Sequence, residues 1–189
     1  MILPIRAIGD PVLKRKARNI EPNEEGLDQL IEDMFETMYN AHGIGLAAPQ
    51  IGQPLRMFIV DTGVAFEEDE EDAFEDGIKE VFINPEIVEF LGDDKSFEEG
   101  CLSIPNIREE VVRPEAVFIC YQNRDFETKE AEIGGLLARV FQHEFDHIDG
   151  ILFTDHLSGL KKRLLKSKLE RISKGKVEVP YPMRFPGMK

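Results

Sequence analysis

The chain has 189 residues, of which 42% are hydrophobic and 32% charged, with a formal net charge of −14. This size and balance are typical of one globular domain over residues 1–189, and the acidic charge argues against non-specific nucleic-acid binding by the whole chain. No apolar stretch approaches the roughly 20 residues that span a bilayer, and the first residues lack a signal-peptide pattern. We therefore expect a cytoplasmic protein.

The first predicted helix carries an apolar stripe from Leu27 to Met38, with the three- and four-residue spacing of one helix face. Asn23 is the expected N-cap, and Gly43 is the expected stop. The methionine and phenylalanine side chains of this stripe favour a core element rather than a ligand site.

Residues 43–50, Gly-Ile-Gly-Leu-Ala-Ala-Pro-Gln, interleave small and aliphatic side chains and end at Gln50. The small residues permit a ligand or another backbone to approach closely. A polar side chain at the end of so apolar a segment needs a partner if it is buried.

Strands are predicted on both sides of an acidic insertion that covers about residues 63–78. Eight carboxylates within residues 67–76 predict a solvated loop there. The strands themselves are expected at 56–61, 80–90, 111–112 and 116–123. The irregular alternation of strands and helices predicts an α+β fold, with mixed, partly antiparallel sheets packed around a central metal-binding helix and with a C-terminal amphipathic helix.

The central predicted helix carries Gln-His-Glu-Phe-Asp-His at residues 142–147. His143 and His147 are four residues apart, so they share one helix face and can bind one metal ion together. Glu144 stands about 100° further around the helix, where its carboxylate can move the proton of a metal-bound water without binding the metal. The motif predicts a hydrolytic metal centre whose third ligand comes from elsewhere.

The ligands that complete this motif in zinc peptidases are poorly represented here. One extended motif requires histidine at position 153, which is Phe153. A downstream glutamate ligand leaves only Glu170 and Glu178 as candidates. His42 and His156 are expected to be solvated residues at a helix end and in a turn.

Cys101 is the strongest candidate for the third ligand. It lies in Glu-Gly-Cys-Leu-Ser, residues 99–103, where a tight turn is expected. A cysteine thiolate binds zinc or iron strongly. With His143, His147 and one water it gives the open four-coordinate pattern of a catalytic metal site. The other cysteine, Cys120, is expected to be a small buried apolar residue in a strand.

A third helix is expected at about residues 158–173, followed by an extended, proline-rich tail. Five aliphatic residues lie on one of its faces, and six lysines and arginines occupy the rest. The simplest interpretation is an amphipathic helix with a solvated basic face.

Residues 43–50, 99–103 and 142–147 together resemble the three signature motifs of the peptide deformylase family, in the family's order and spacing. The resemblance implies a metal-dependent hydrolase that removes the N-formyl group from the N-terminal methionine of nascent polypeptides and releases formate. It implies one divalent ion, with Fe²⁺ expected and Ni²⁺, Co²⁺ or Zn²⁺ as substitutes. Metal-bound hydroxide is the implied nucleophile.

The resemblance also assigns roles to matching positions. Glu144 is expected to act as general base and acid. The Gln50 side chain and the Leu102 backbone N–H are expected to stabilise the oxyanion. The residues expected to contact the methionine side chain and an extended peptide are Ile44, Gly45, Gly100, Leu136 and Arg139.

Three charged residues carry a structural alternative beside the implied role. Arg139 is expected to line the methionine slot with its stem while its head reaches solvent, or else to be a surface arginine. Arg113 and Asp146 are expected either to pair in support of the metal-binding helix or to be ordinary surface charges.

The implied partners are N-formylmethionyl nascent chains, with no membrane and no specific DNA. The resemblance adds a second interpretation for the basic helix, which is contact with ribosomal RNA. Two other functions stay open. A zinc endopeptidase would keep its metal after Cys101→Ser, and a non-catalytic metal-binding module would be unaffected by Glu144→Ala.

Overall fold

An antiparallel sheet and three α-helices make up most of the computed structural model, which describes residues 1–65 and 77–187. The acidic segment 67–76, expected to be a solvated loop, lies outside the described residues. The strands are β1 (Ile5–Arg6), β2 (Gly45–Ala47), β3 (Met57–Asp61), β4 (Lys79–Cys101), β5 (Ile104–Gln122), β6 (Thr128–Gly134) and β7 (Met183–Arg184). The helices are α1 (Leu27–Asn40), α2 (Gly135–Ile148) and α3 (Gly159–Ser173). The predicted α+β class is confirmed.

Five strands form one sheet in the order β2-β3-β4-β5-β6, with antiparallel neighbours. β4 and β5 pair as a long ribbon that closes at Cys101 and Ile104, with register shifts along its length. The turn between them consists of Leu102 and Ser103. Cys101 therefore lies at the tip of this ribbon.

Within this sheet the sequence predictions missed two strands and shortened two others, and they also missed the short strands β1 and β7. β2 is made of glycine, leucine and alanine, which are not strand-favouring residues, and β6 is mostly polar. The two segments expected at 111–112 and 116–123 are parts of one strand, β5. Pro114 lies between them and stays in the strand.

A second, two-stranded sheet joins segments that are far apart in sequence. β1 pairs in parallel with β7, with Ile5 opposite Met183. The extended tail thus returns to the beginning of the described chain. The N–H of Ile8, just beyond β1, donates to the Ser103 carbonyl at 2.9 Å, so this small sheet also contacts the turn of the β4–β5 ribbon.

The N-terminal boundary of α1 differs from the prediction. Asn23 is not its N-cap, because Gly26 takes the capping position in a left-handed conformation with φ of 73° and no side-chain cap. The C-terminal end agrees better with the predicted stop at Gly43, because the Gly43 N–H donates a hydrogen bond to the Met38 carbonyl just after the helix ends. The predicted apolar stripe of α1 is buried, with Ile31 among its fully enclosed residues.

α2 is anchored to the sheet by an aromatic cluster. Phe141 is fully buried, and its ring lies 5.0 Å from those of Phe58 and Phe82 in edge-to-face arrangements. Burying a phenylalanine side chain contributes about 2–3 kcal/mol. This packing fixes the helix that carries His143 and His147 against the strands.

α3 matches its predicted span but not its predicted burial. Ser158 is the N-cap, and its hydroxyl accepts from the Lys161 N–H. Leu165 and Ile172 are buried, whereas Leu160 and Leu164 of the same stripe are 60% and 71% exposed. No helix in the described part of the chain is long and apolar enough to cross a membrane.

Candidate metal centre

Cys101, His143 and His147 meet in one cluster. Their ligand atoms all lie within 4.8 Å of one another, and Cys101 Sγ is 3.2 Å from His147 Nε2. Among residues 1–65 and 77–187, this is the one group of three or more ligand-type side chains with such geometry. The glutamates that a zinc-peptidase pattern would require, Glu170 and Glu178, are not part of it.

The donor set fits a divalent transition metal. One sulfur and two imidazole nitrogens are the ligands that zinc and ferrous iron accept. Burial on its own lowers the pKa of His143, but hydrogen bonds to Cys101 and Glu99 outweigh it and raise that pKa well above its ordinary value. Cys101, Glu99 and Glu144 are the negative groups near His143, and they favour a positive charge among the three ligand-type side chains. Burial lowers the pKa of His147, which keeps it in the neutral form that binds metals.

Glu144 is buried beside the cluster. A Cβ placed on Gly45 would lie 2.6 Å from Glu144 Oε1, so the strand backbone and the carboxylate approach each other closely only because residue 45 is glycine. Burial raises the pKa of Glu144 to about 7, despite the opposing effect of His143. The Oε2 atom makes no hydrogen bond within the described part of the chain. Such a carboxyl group is suited to proton transfer near neutral pH.

Gln50 turns its amide nitrogen toward the cluster. Its Oε1 accepts from the Ala47 N–H at 2.8 Å, which leaves Nε2 to face Cys101 Sγ at 3.6 Å and Ser103 Oγ at 3.3 Å. The side chain is buried, and the expectation that it needs partners is confirmed.

Glu99 is the principal residue that the sequence analysis missed. This buried carboxylate accepts from His143 Nδ1 at 2.9 Å, from two nitrogens of Arg113 at 2.7 and 3.0 Å, and from Arg139 at 3.0 Å. Burial alone would raise its pKa, but the bonds from His143 and Arg113 hold that pKa well below its usual range. Glu99 and Cys101 are two residues apart on β4, and the two-residue period of a strand was the signal that they share a face.

Arg113 and Asp146 form the expected pair. Arg113 Nη1 donates to Asp146 Oδ2 at 2.8 Å, and the same oxygen lies 2.7 Å from Nε2 of His156. Arg113 is buried, so the alternative of an ordinary surface charge is wrong for it. The pair connects α2 to β5, and its arginine is the one that also bonds Glu99.

Both expectations for the guanidinium of Arg139 are wrong. The group neither reaches solvent along a slot nor lies on the surface, because Arg139 is buried. It donates to Glu99, to the Val111 carbonyl at 3.0 Å and to the Lys95 carbonyl at 2.7 Å. These three acceptors replace water around the buried charge.

The remaining predicted residues lie on or beside β2, β4 and α2. Ile44 and Leu136 are half-buried and pack on the same apolar cluster as Phe141. Gly45 is buried in β2, and Gly100 precedes Cys101 at the end of β4. Their contacts with a substrate stay predictions.

Two other sequence expectations concern residues outside the cluster. His42 and His156 are exposed, as expected for solvated histidines, although His156 contacts Asp146. Cys120 is only partly buried, so the expectation of a buried apolar cysteine is wrong.

Comparisons with known proteins agree with this geometry. The family model for polypeptide deformylase matches residues 2–163. The chain is 53% identical to the peptide deformylase of Christiangramia forsetii, over 100% of this chain and 98% of the relative. It is 50% identical to that of Salinibacter ruber, over 97% and 94% of the two chains.

Solved structures give the same result. A peptide deformylase from Legionella pneumophila is 41% identical with a TM-score of 0.80, over 93% of this chain and 98% of the other. One from Synechococcus elongatus, in complex with actinonin, is 38% identical with a TM-score of 0.77, over 88% and 87% of the chains. The resemblance inferred from the three motifs is confirmed. The chain therefore belongs to the polypeptide deformylase family, and it is an enzyme, a metal-dependent deformylase.

Proposed function

We propose that this enzyme removes the N-formyl group from the N-terminal methionine of nascent polypeptides and releases formate. The observation that carries the proposal is the cluster of Cys101, His143 and His147 with the buried carboxylate of Glu144 beside it. Membership of the family supports the choice of a formyl amide as the bond that is hydrolysed.

The cluster would hold one divalent ion, for which we propose Fe²⁺, with Ni²⁺, Co²⁺ or Zn²⁺ as substitutes. When bound, such an ion acts as a Lewis acid that acidifies a water molecule and polarises the formyl oxygen. Glu99 holds Nδ1 of His143 at 2.9 Å, which turns Nε2 of that ring toward the cluster. Arg113 and Arg139 fix Glu99 in turn, and Asp146 secures Arg113.

Glu144 would move the protons of the reaction. Its carboxylate accepts a proton from the attacking water and returns it to the amine that leaves. Three properties support this role: burial, a pKa raised to about 7, and an oxygen atom with no competing donor in the described chain.

Two donors would stabilise the negative charge that grows on the formyl oxygen. The Gln50 amide is held in one orientation by the Ala47 N–H, so its own N–H groups face the site. The Leu102 N–H makes no backbone or side-chain hydrogen bond within the described residues, so it is available to the substrate. Fixed donors of this kind stabilise a transition state without reorganising during the reaction.

We further propose that Ile44 and Leu136 line the slot for the methionine side chain, and that the backbone at Gly45 and Gly100 contacts an extended peptide. Arg139 would shape the slot only through its buried stem. The whole of residues 1–189 would form one catalytic domain.

Formylated nascent chains arise in the cytoplasm, where the proposal therefore places the enzyme. The basic residues of α3 other than Lys161 are exposed and would allow contact with ribosomal RNA. Co-sedimentation with ribosomes should then fall steeply as the salt concentration rises. Co-sedimentation that does not respond to salt would contradict such contacts.

The test is formate release from formyl-Met-Ala-Ser by the metal-loaded enzyme and by its Glu144→Gln variant. The variant keeps the size of the side chain and all three ligands, so we expect metal content to be unchanged. Loss of a general base lowers rates by roughly 10²–10⁴-fold, and formate release should fall within that range.

A chelator supplies the control, since it should abolish activity in the wild type and a divalent metal should restore it. Absence of formate from the metal-loaded wild type would overturn the proposed function. Equal rates for wild type and variant would overturn only the role of Glu144.

A further inference from the structure

The turn that carries Leu102 is held by two segments from outside the sheet. The hydroxyl of Tyr181 donates to the Leu102 carbonyl at 2.9 Å, and the Ile8 N–H donates to the Ser103 carbonyl at 2.9 Å. Pairing of β1 with β7 brings both donors to the turn. Tyr181 lies beyond residues 2–163, the range that the family model matches.

The side chain of Leu102 is restrained as well. A Cβ on Gly43 would lie only 2.8 Å from Leu102 Cδ1, so this leucine rests directly on the glycine backbone. Leu102 and Tyr181 both pack on the apolar cluster that α1 contributes to. Burial raises the pKa of Tyr181 to about 12, so its hydroxyl remains a donor at neutral pH.

These contacts determine the direction of the Leu102 N–H. A peptide unit is planar, so the orientation of an N–H relative to the next carbonyl depends only on two dihedral angles of the residue between them. In Leu102 the carbonyl is fixed by Tyr181 and the side chain by Gly43. Little freedom is left for the N–H of the same residue.

We propose that Tyr181 is a positioning residue for catalysis, which holds the Leu102 N–H in the direction required to donate to the formyl oxygen. The proposal rests on the proposed function, in which that N–H stabilises the oxyanion. Within the described residues the Tyr181 hydroxyl bonds the Leu102 carbonyl and none of the three ligand side chains, so it would act through the backbone of Leu102.

The first experiment compares Tyr181→Phe with the matched variant Tyr39→Phe in the metal-loaded enzyme. Each variant removes one hydroxyl, and the Tyr39 hydroxyl bonds the Asp61 carboxylate at 2.5 Å rather than the turn. A neutral hydrogen bond contributes about 2- to 12-fold when expressed as a ratio of rates. We expect kcat of Tyr181→Phe to fall about 3- to 10-fold while KM stays within about twofold, since an oxyanion donor acts in the transition state.

A second experiment follows the Leu102 amide by NMR in the zinc-loaded protein, independently of activity. Because this N–H makes no hydrogen bond within the described residues, its chemical shift reports the orientation of the peptide group. The shift should move in Tyr181→Phe, and Tyr39→Phe should leave it unchanged.

The outcomes distinguish the positioning role of Tyr181 from the proposed function of the enzyme. If Tyr181→Phe has the kcat and the Leu102 amide chemical shift of the wild type, the inference is overturned while the proposed function stands. An equal loss of kcat in both tyrosine variants also overturns it, because that result indicates general loosening. Failure of the wild type to release formate overturns the proposed function, and the amide measurement still reports whether Tyr181 fixes the turn.

Discussion

α2 and α3 have almost the same length, 14 and 15 residues, yet they use their polar residues in opposite ways. In α2, residues such as Arg139 and His147 are buried, and partners on β4 and β5 surround most of the charges. In α3 the basic residues other than Lys161 are exposed, and only Leu165 and Ile172 are buried. A charge inside the protein must be paired, and this requirement fixes its position far more tightly than solvation does.

The ion pairs of the two helices illustrate the difference. Glu99 is almost inaccessible and accepts from three side chains, two of them on α2. The Lys161 to Glu109 pair, which joins α3 to β5 at 2.8 Å, is partly exposed on both sides. Removing one partner should therefore matter in the first case and hardly at all in the second.

Glu99→Gln should produce the largest effect. It removes a carboxylate from two buried arginines, of which Arg113 keeps only Asp146 and Arg139 keeps only carbonyl acceptors. Breaking a buried pair in this way costs about 3–5 kcal/mol of the free energy of unfolding. Urea denaturation of the metal-loaded protein measures it. The folded-state pKa of Glu99 is lowered, so its contribution is present above the ordinary carboxyl pKa and is lost as the pH falls below about 4.

Glu109→Gln is the matched control, since the same substitution removes a charge from an exposed pair. Its urea midpoint should coincide with that of the wild type. If the two variants were equally stable, the contrast between the helices would be wrong.

Leu165→Ala and Leu164→Ala test neighbouring residues of α3. Leu165 is 7% exposed and Leu164 is 71% exposed. A buried leucine truncated to alanine costs about 2–4 kcal/mol, whereas a surface substitution stays within about 0.5 kcal/mol. Thermal and urea unfolding should rank the variants in that order, and a large loss for Leu164→Ala would show that its face is covered.

Gly45→Ala and Gly159→Ala test the space around one glycine near each helix. At residue 45 the new Cβ would lie 2.6 Å from Glu144 Oε1 and 2.9 Å from Val140. Displacement of the carboxylate should lower kcat about tenfold, because a misplaced catalytic group loses its productive geometry. Overpacking should also cost roughly 1–3 kcal/mol of the free energy of unfolding.

Residue 159 begins α3, and a Cβ there would meet nothing within 4 Å. Alanine favours helix more than glycine does, so this variant should keep its kcat and gain slightly in stability. Formate release and thermal unfolding of the pair provide the measurement. An unchanged kcat in Gly45→Ala would mean that Glu144 tolerates displacement.

What the sequence predicts well is local. The four-residue spacing of His143 and His147 is a property of one helix, and Cys101 stands out by its chemistry in a glycine turn. These features suffice to predict the cluster of Cys101, His143 and His147. The span of α3 follows from its periodicity for the same reason.

What the sequence does not predict depends on distant pairing. The partners of Glu99 on α2 are 40 and 44 residues away along the chain. An arginine on a helix is normally a surface residue. The sequence of α2 therefore does not predict that three buried acceptors surround the guanidinium of Arg139. Tyr181 had no signal at all, because its partner is a backbone carbonyl that only the β1–β7 pairing brings near.

The side-chain periods of β4 and α2, which both contribute residues to the contacts of Glu99, also limit how this chain tolerates insertions and deletions. Glu99 and Cys101 depend on the two-residue period of β4, while Arg139 and His143 depend on the four-residue spacing of α2. One residue added between Glu99 and Cys101 would send either the carboxylate or the sulfur to the opposite face of the strand. The ribbon has register shifts between Leu91 and Asp94 and between Gly100 and Cys101, and at the second shift the extra residues lie on β5. Length variation among natural relatives should therefore be found near Leu91 to Asp94 or on the β5 side of the turn, and not within β4 between Glu99 and Cys101.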